Sequence, residues 1–167
     1  MKHFVSIIGP NKSKCTEQQY EFGIQLGEFI VNHSWGIICG GKYGFMEAVC
    51  LGASKSPLYD GVSTIGIVPE ETNKEANKYV DIILPTGMSY ARNALVVRTG
   101  NFVIAVGGGA GTLSEIALAW QMRKKIICFP KYGGWSAELA GHQLDKTFNE
   151  RIISLECIEE LEEHLIL

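Results

Sequence analysis

Phe102-Val103-Ile104-Ala105-Val106-Gly107-Gly108-Gly109-Ala110-Gly111-Thr112-Leu113-Ser114-Glu115 is the stretch on which the fold turns. Five apolar residues, read as a strand over Phe102–Val106, run into four glycines and then a helix expected from about Leu113 to Arg123. A strand apolar on both faces belongs to a sheet covered on both sides, which in practice is a parallel sheet. Strand, glycine turn and helix N-terminus in that order also form a ready anion site. Missing Cβ atoms admit a ligand to the backbone, and the free N–H groups of the first helical turn point at it. The turn is neither a Walker loop, since it lacks the GK[ST] ending, nor a G-x-G-x-x-G dinucleotide fingerprint.

The same grammar repeats outward from this segment. Phe4–Ile8, Gly36–Cys39, Ser63–Val68, Val80–Leu84 and Ile126–Phe129 read as further strands, and Arg151–Leu155 as a seventh. Between them, Thr16-Glu17-Gln18-Gln19 has capping-box form and opens a helix with Tyr20, Ile24, Gly27 and Val31 on one stripe. Helices are expected around Phe45–Ala53 and Ser89–Arg98, with a polar, flexible loop at Glu70–Lys78 and an acidic final helix at Ile158–Leu165. The expectation is one domain over 1–167. It is an α/β fold with a doubly wound, mostly parallel, Rossmann-like sheet of about six or seven strands.

In such sheets ligands sit outside the carboxyl ends of the strands. A second glycine turn, Gly40-Gly41-Lys42-Tyr43-Gly44, stands at one such end, and Thr86-Gly87-Met88-Ser89-Tyr90-Ala91-Arg92-Asn93 at another. On a helix, Ser89, Arg92 and Asn93 share a face by i, i+3, i+4 spacing. An arginine near a helix start is poorly placed for the helix dipole and needs another partner: a phosphate, a ligand carboxylate or Glu115. Glu115 itself has two readings. It closes a capping box with Thr112, or it faces the ligand. The candidate ligand-binding residues are therefore Gly40, Gly41, Gly44, Thr86, Gly87, Ser89, Arg92, Asn93, Gly107, Gly108, Gly109, Ala110, Gly111, Thr112 and Glu115.

Bulk properties narrow the ligand class. The 167 residues carry 15 basic and 18 acidic side chains, a net charge of −3, with no basic run. Nucleic-acid polymers and anionic membranes are poor matches for that balance. No apolar stretch nears the roughly 20 residues of a bilayer span, and Met1–Pro10 has too short an apolar run for a signal peptide, so a cytoplasmic protein is expected. Five cysteines without a CxxC pair read as reduced thiols, with Cys39 singled out because it abuts a glycine turn. Four scattered histidines give no metal-ligand spacing, and no metal site is expected.

Taken together, Cys39–Ala48, Thr86–Asn93 and Gly107–Ala119 resemble the superfamily that holds the LONELY GUY (LOG) phosphoribohydrolases and the molybdenum-cofactor carrier proteins. Many of its members were once labelled lysine decarboxylases, and the likeness runs to about Leu144. In the hydrolases the motif is P-G-G-x-G-T-x-x-E, preceded by an arginine–lysine pair. The family arginine and glutamate fall on Arg92 and Glu115, and the resemblance implies that both face the ligand. Gly107 stands where the proline would be and Asn93 where the lysine would be, and Gly-Gly-Trp at 133–135 is nearer the short carrier-like subgroup.

The resemblance implies a molybdenum-cofactor (molybdopterin) carrier. The alternative is a hydrolase of the N-glycosidic bond of nucleoside 5′-monophosphates, with Arg92 and Glu115 catalytic. It also implies a homodimer or homotetramer, in line with Ile116–Trp120 being apolar around nearly the whole helix.

Overall fold

The computed structural model describes residues 2–165. Seven parallel strands form one sheet: β1 (Phe4–Ile8), β2 (Gly36–Cys39), β3 (Thr64–Val68), β4 (Ile82–Pro85), β5 (Val103–Val106), β6 (Ile126–Phe129) and β7 (Ile153–Ser154). Their order is β4-β3-β2-β1-β5-β6-β7. The chain winds outward from β1 to β4, then returns to place β5 on the other flank of β1. The β1/β5 boundary is thus the switch point, where a crevice opens between connections that leave in opposite directions.

Period-two alternation sorts the strand side chains onto two cores. Val5, Ile7, Ile37, Cys39, Ile104, Val106, Ile127 and Phe129 pack with α1 (Glu17–Asn32) and α2 (Phe45–Ala53). Ile8, Ile38, Val103, Ala105, Ile126 and Cys128 pack with α3 (Asn93–Thr99) and α4 (Ala110–Gln121) on the opposite face. The last helix, α5 (Gly134–Leu139), is short.

α1 begins as its sequence foretells. Thr16 accepts the Gln19 N–H while the Gln19 side chain accepts the Thr16 N–H. Its buried stripe, however, is Gln19, Phe22, Gly23, Leu26, Gly27, Ile30 and Val31, so Tyr20 and Ile24 lie at its margin. The reason is α2. At Gly27 a Cβ would drive into the Val49 carbonyl, and at Gly52 one would drive into the Ile24 carbonyl. The two helix backbones touch there, and that crossing sets which face of α1 is inward.

Three further expectations are corrected. Ser89–Arg92 is a 3-10 turn, and the α-helix starts only at Asn93. Ile158–Leu165 is a 3-10 segment over Glu159–His164, docked through Leu161 and Leu165 onto the α1/α2 core. The loop at 70–78 is irregular but tied down. Asn77 is buried, its Nδ2 donates to the Gly41 and Lys42 carbonyls at 3.2 and 2.8 Å, and Lys42 pairs with Glu70. None of the described helices is long and apolar enough to cross a membrane.

Candidate functional site

A crevice of about 520 Å³ lies at the switch point. Ile7–Asn11 and Lys14 wall it from β1 and its following loop, Gly40 from the end of β2, and Gly109–Thr112 from the start of α4. Arg92, Asn93, Ser114 and Glu115 close the floor, and Tyr90 stands at the mouth, 86% exposed.

α4 opens without a cap of its own. It starts at Ala110, three residues earlier than its sequence pattern, because Gly107 (φ +59°) and Gly108 (φ +89°) turn the chain sharply off β5. Gly109 is the N-cap, among the described residues no side chain caps the first-turn N–H groups, and no acidic residue stands in that turn. These donors, with the positive end of the dipole, face the crevice. The capping box is not formed. Thr112 lies inside the helix, so the capping reading of Glu115 falls.

Glu115 points instead at Arg92. Their closest atoms, Nη1 and Oε1, are 3.7 Å apart, with side chains 11% and 9% exposed. Burial pushes the Glu115 carboxyl up to about 7, the nearby guanidinium only partly opposing it. Arg92 is lowered by its own burial, offset by Glu115, and an arginine this far above neutrality keeps its charge. Its Nη1 donates to Asn93 Oδ1 at 2.8 Å and its Nη2 to the Gly40 carbonyl at 3.4 Å, while Nε is buried with no hydrogen-bond partner among the described residues. A Cβ on Gly40 would lie 2.6 Å from Nη2, so this glycine makes room for the guanidinium.

Of the residues expected from sequence, Gly40, Arg92, Asn93, Gly109, Ala110, Gly111, Thr112 and Glu115 converge on the crevice. The others are placed elsewhere. Gly107 and Gly108 shape the turn and hold α5: the Ser136 and Trp135 N–H groups donate to their carbonyls at 3.1 Å each. Gly41 (φ +70°) faces Val68, and Gly44 (φ +84°) packs on the Lys12 backbone. Thr86 and Gly87 lash the end of β4 to Val68 and Glu70. Ser89, in a left-handed conformation (φ +49°), lies on the outside of the 3-10 turn. Cys39 is fully buried under the second glycine turn, accepting the Gly41 N–H at 3.4 Å and lying 3.8 Å from the Cys50 sulfur.

Lys14 escaped the sequence reading. Its Nζ sits 3.6 Å from where a Cβ on Gly109 would be, over the start of α4. Among the described residues it has no carboxylate within ion-pair distance. Applying the carboxyl-end rule to β1 as well would have flagged its loop, because the central strand's exit always borders the switch point.

Three comparisons bear on this site. The family described as SLOG cluster4 matches residues 2–161. A protein of Archaeoglobus fulgidus without an assigned function is 34% identical over 122 residues, 73% of this chain and 76% of its own. Two solved structures superpose end to end. They are the molybdenum cofactor binding protein of the phototrophic bacterium Rippkaea orientalis (TM-score 0.84, 32% identity, 99% of this chain and 96% of that one) and the molybdenum cofactor carrier protein of Chlamydomonas reinhardtii (TM-score 0.81, 27% identity, 98% of each).

Proposed function

The chain belongs to the SLOG cluster4 family, and from that premise we propose that it binds the molybdenum cofactor and serves as its carrier or store. The observation that carries this reading is the end-to-end likeness to a molybdenum cofactor binding protein at 32% identity. The crevice supports it on independent grounds. Its size falls within the ~300–1,000 Å³ of small-molecule sites, and its donors suit the terminal phosphate of a pterin. The uncapped start of α4 with Gly109–Thr112 takes anionic oxygens, Lys14 covers them from the β1 loop, and Arg92 brings a largely buried guanidinium to the crevice. Asn93 Oδ1 fixes that guanidinium in place. A carrier needs no bond broken, only a cradle that opens again.

The test is co-purification from cells that make the cofactor. Molybdenum and pterin fluorescence should accompany the protein in equal amounts and be lost from Arg92→Ala. Protein isolated with neither would overturn the reading.

One observation favours a second reading. A carboxyl at about 7 that faces a phosphate cradle beside an arginine suits hydrolysis of a nucleoside 5′-monophosphate. Glu115 would steady the oxocarbenium-like sugar carbon or its attacking water. Free adenine released from AMP, and abolished by Glu115→Ala, would replace the carrier with the hydrolase. Under either reading the partner is a small phosphorylated molecule rather than a nucleic-acid polymer or a membrane, and the five free cysteines suit a reducing cytoplasm.

We further propose self-association. Ile116, Ala119 and Trp120 are buried within the chain, but edge strand β4 leaves Ile82 and Leu84 38% and 45% exposed. An open parallel edge with apolar side chains is a pairing surface.

A further inference from the structure

At the amino ends of β6 and β7, opposite the crevice, lies a separate cavity of about 300 Å³ with no lining residue in common with it. Its walls are apolar and aromatic: Trp120, Ile126 and Ile152 are buried, and Phe148 is half-buried. Its rim is cationic. Arg123, Lys124, Lys125 and Arg151 line it against the single carboxylate of Glu150.

Among the described residues none of these four cations has a carboxylate within 4 Å. Lys124 is spent on the carbonyls of Arg98 and Gly100. Arg151 donates to the Gly141 carbonyl at 3.0 Å, and the Arg123 guanidinium lies over the Phe148 ring at 4.6 Å. Such clustering is unexpected in a chain with more acidic than basic residues.

The plain explanation is that cations near a helix C-terminus complement its dipole. Lys124 meets that need at the end of α3, through the Arg98 and Gly100 carbonyls, while Lys125 lies over the Phe102 ring. Arg123 does not require it, and its backbone argues for another role. It follows the C-cap Met122 with φ +55°. Its N–H bonds the Trp120 carbonyl and that of Lys124 the Ala119 carbonyl, both at 3.0 Å. This is the helix ending in which glycine is favoured, because a side chain there is strained. Strain of that kind gathers at functional sites. Here it sets the guanidinium against Phe148 at the cavity wall.

We propose that this cavity is a second ligand site, for a flat aromatic anion about the size of a nucleoside monophosphate. Its ring would lie against Trp120 and Phe148, and its phosphate or carboxylate against Arg123 and Arg151. The site is independent of the cofactor crevice and does not rest on the reading given to it.

The experiment uses the full chain with the crevice silenced by Arg92→Ala. AMP is titrated by calorimetry, with adenosine as the uncharged control. AMP should still bind the Arg92→Ala protein, and adenosine at least tenfold more weakly. Adding Arg123→Gly should weaken AMP at least tenfold while the thermal midpoint holds or rises, since glycine relieves the strain. Arg151→Gln should weaken AMP without touching that backbone. The proposal is overturned if Arg92→Ala abolishes AMP binding, if adenosine binds as well as AMP, or if neither rim substitution changes affinity.

Discussion

Glu115 is the residue whose chemistry reaches furthest. Its folded carboxyl, at about 7, lies above its ordinary 4.5, so between those values the native state holds a proton that the unfolded chain has released. Stability is therefore greatest below about pH 4.5 as far as this group is concerned, falls as pH rises towards 7, and levels off beyond. The loss is roughly 3 kcal/mol by linkage. Glu115→Gln should flatten that segment of a urea-midpoint-against-pH profile and be the more stable protein at pH 8. An unchanged slope would remove the carboxyl from consideration. The same ionisation acts on cargo. A phosphate entering beside a carboxylate is repelled, so affinity should fall as pH rises through about 7 in the native protein and much less in Glu115→Gln. Lys14, lining the crevice with no carboxylate partner among the described residues, would act on a phosphate by charge alone. Lys14→Ala should weaken phosphate binding several-fold, with a shallower salt dependence, and leave the thermal midpoint unchanged.

At the scale of elements, the α1/α2 crossing is fixed by two glycines. Gly52→Ala presses a methyl group into the Ile24 carbonyl and should destabilise by about 1–3 kcal/mol, the usual effect of overpacking. Chemical denaturation would read this directly, with AMP or phosphate binding retained in the folded fraction. Strands were legible because central parallel strands are Val/Ile runs with no polar phase to misplace, and β1, β2 and β6 coincide with their sequence reading to the residue. The start of α1 was legible because its capping box is formed by side chains. The start of α4 was not. A pair of left-handed glycines and the height of the helix over the sheet decide it, and neither leaves a side-chain mark. The same cause blurs the site. From sequence every glycine beside a strand end is equivalent, whereas in the fold Gly109 and Gly111 face the crevice and Gly107 and Gly108 face α5. Lys14 was hidden for the opposite reason, one of two lysines in a loop that the strand order brings over α4.

For the whole molecule, sedimentation should give a dimer or tetramer, and charged substitutions at Ile82 and Leu84 together should release monomer. A monomeric native protein would leave the exposed edge of β4 without that role. The strand order has another result. The crevice draws one wall from β1 and β2, laid down in the first forty residues, and the other from α3 and α4, beyond residue 90. Whatever occupies it stitches together the early and late portions of the chain, and ligand tight enough to fill it a hundredfold above its dissociation constant adds about 2.7 kcal/mol to folding. Laden molecules would thus outlast vacant ones under proteolysis, so that the cell's supply of cargo governs how long each copy survives.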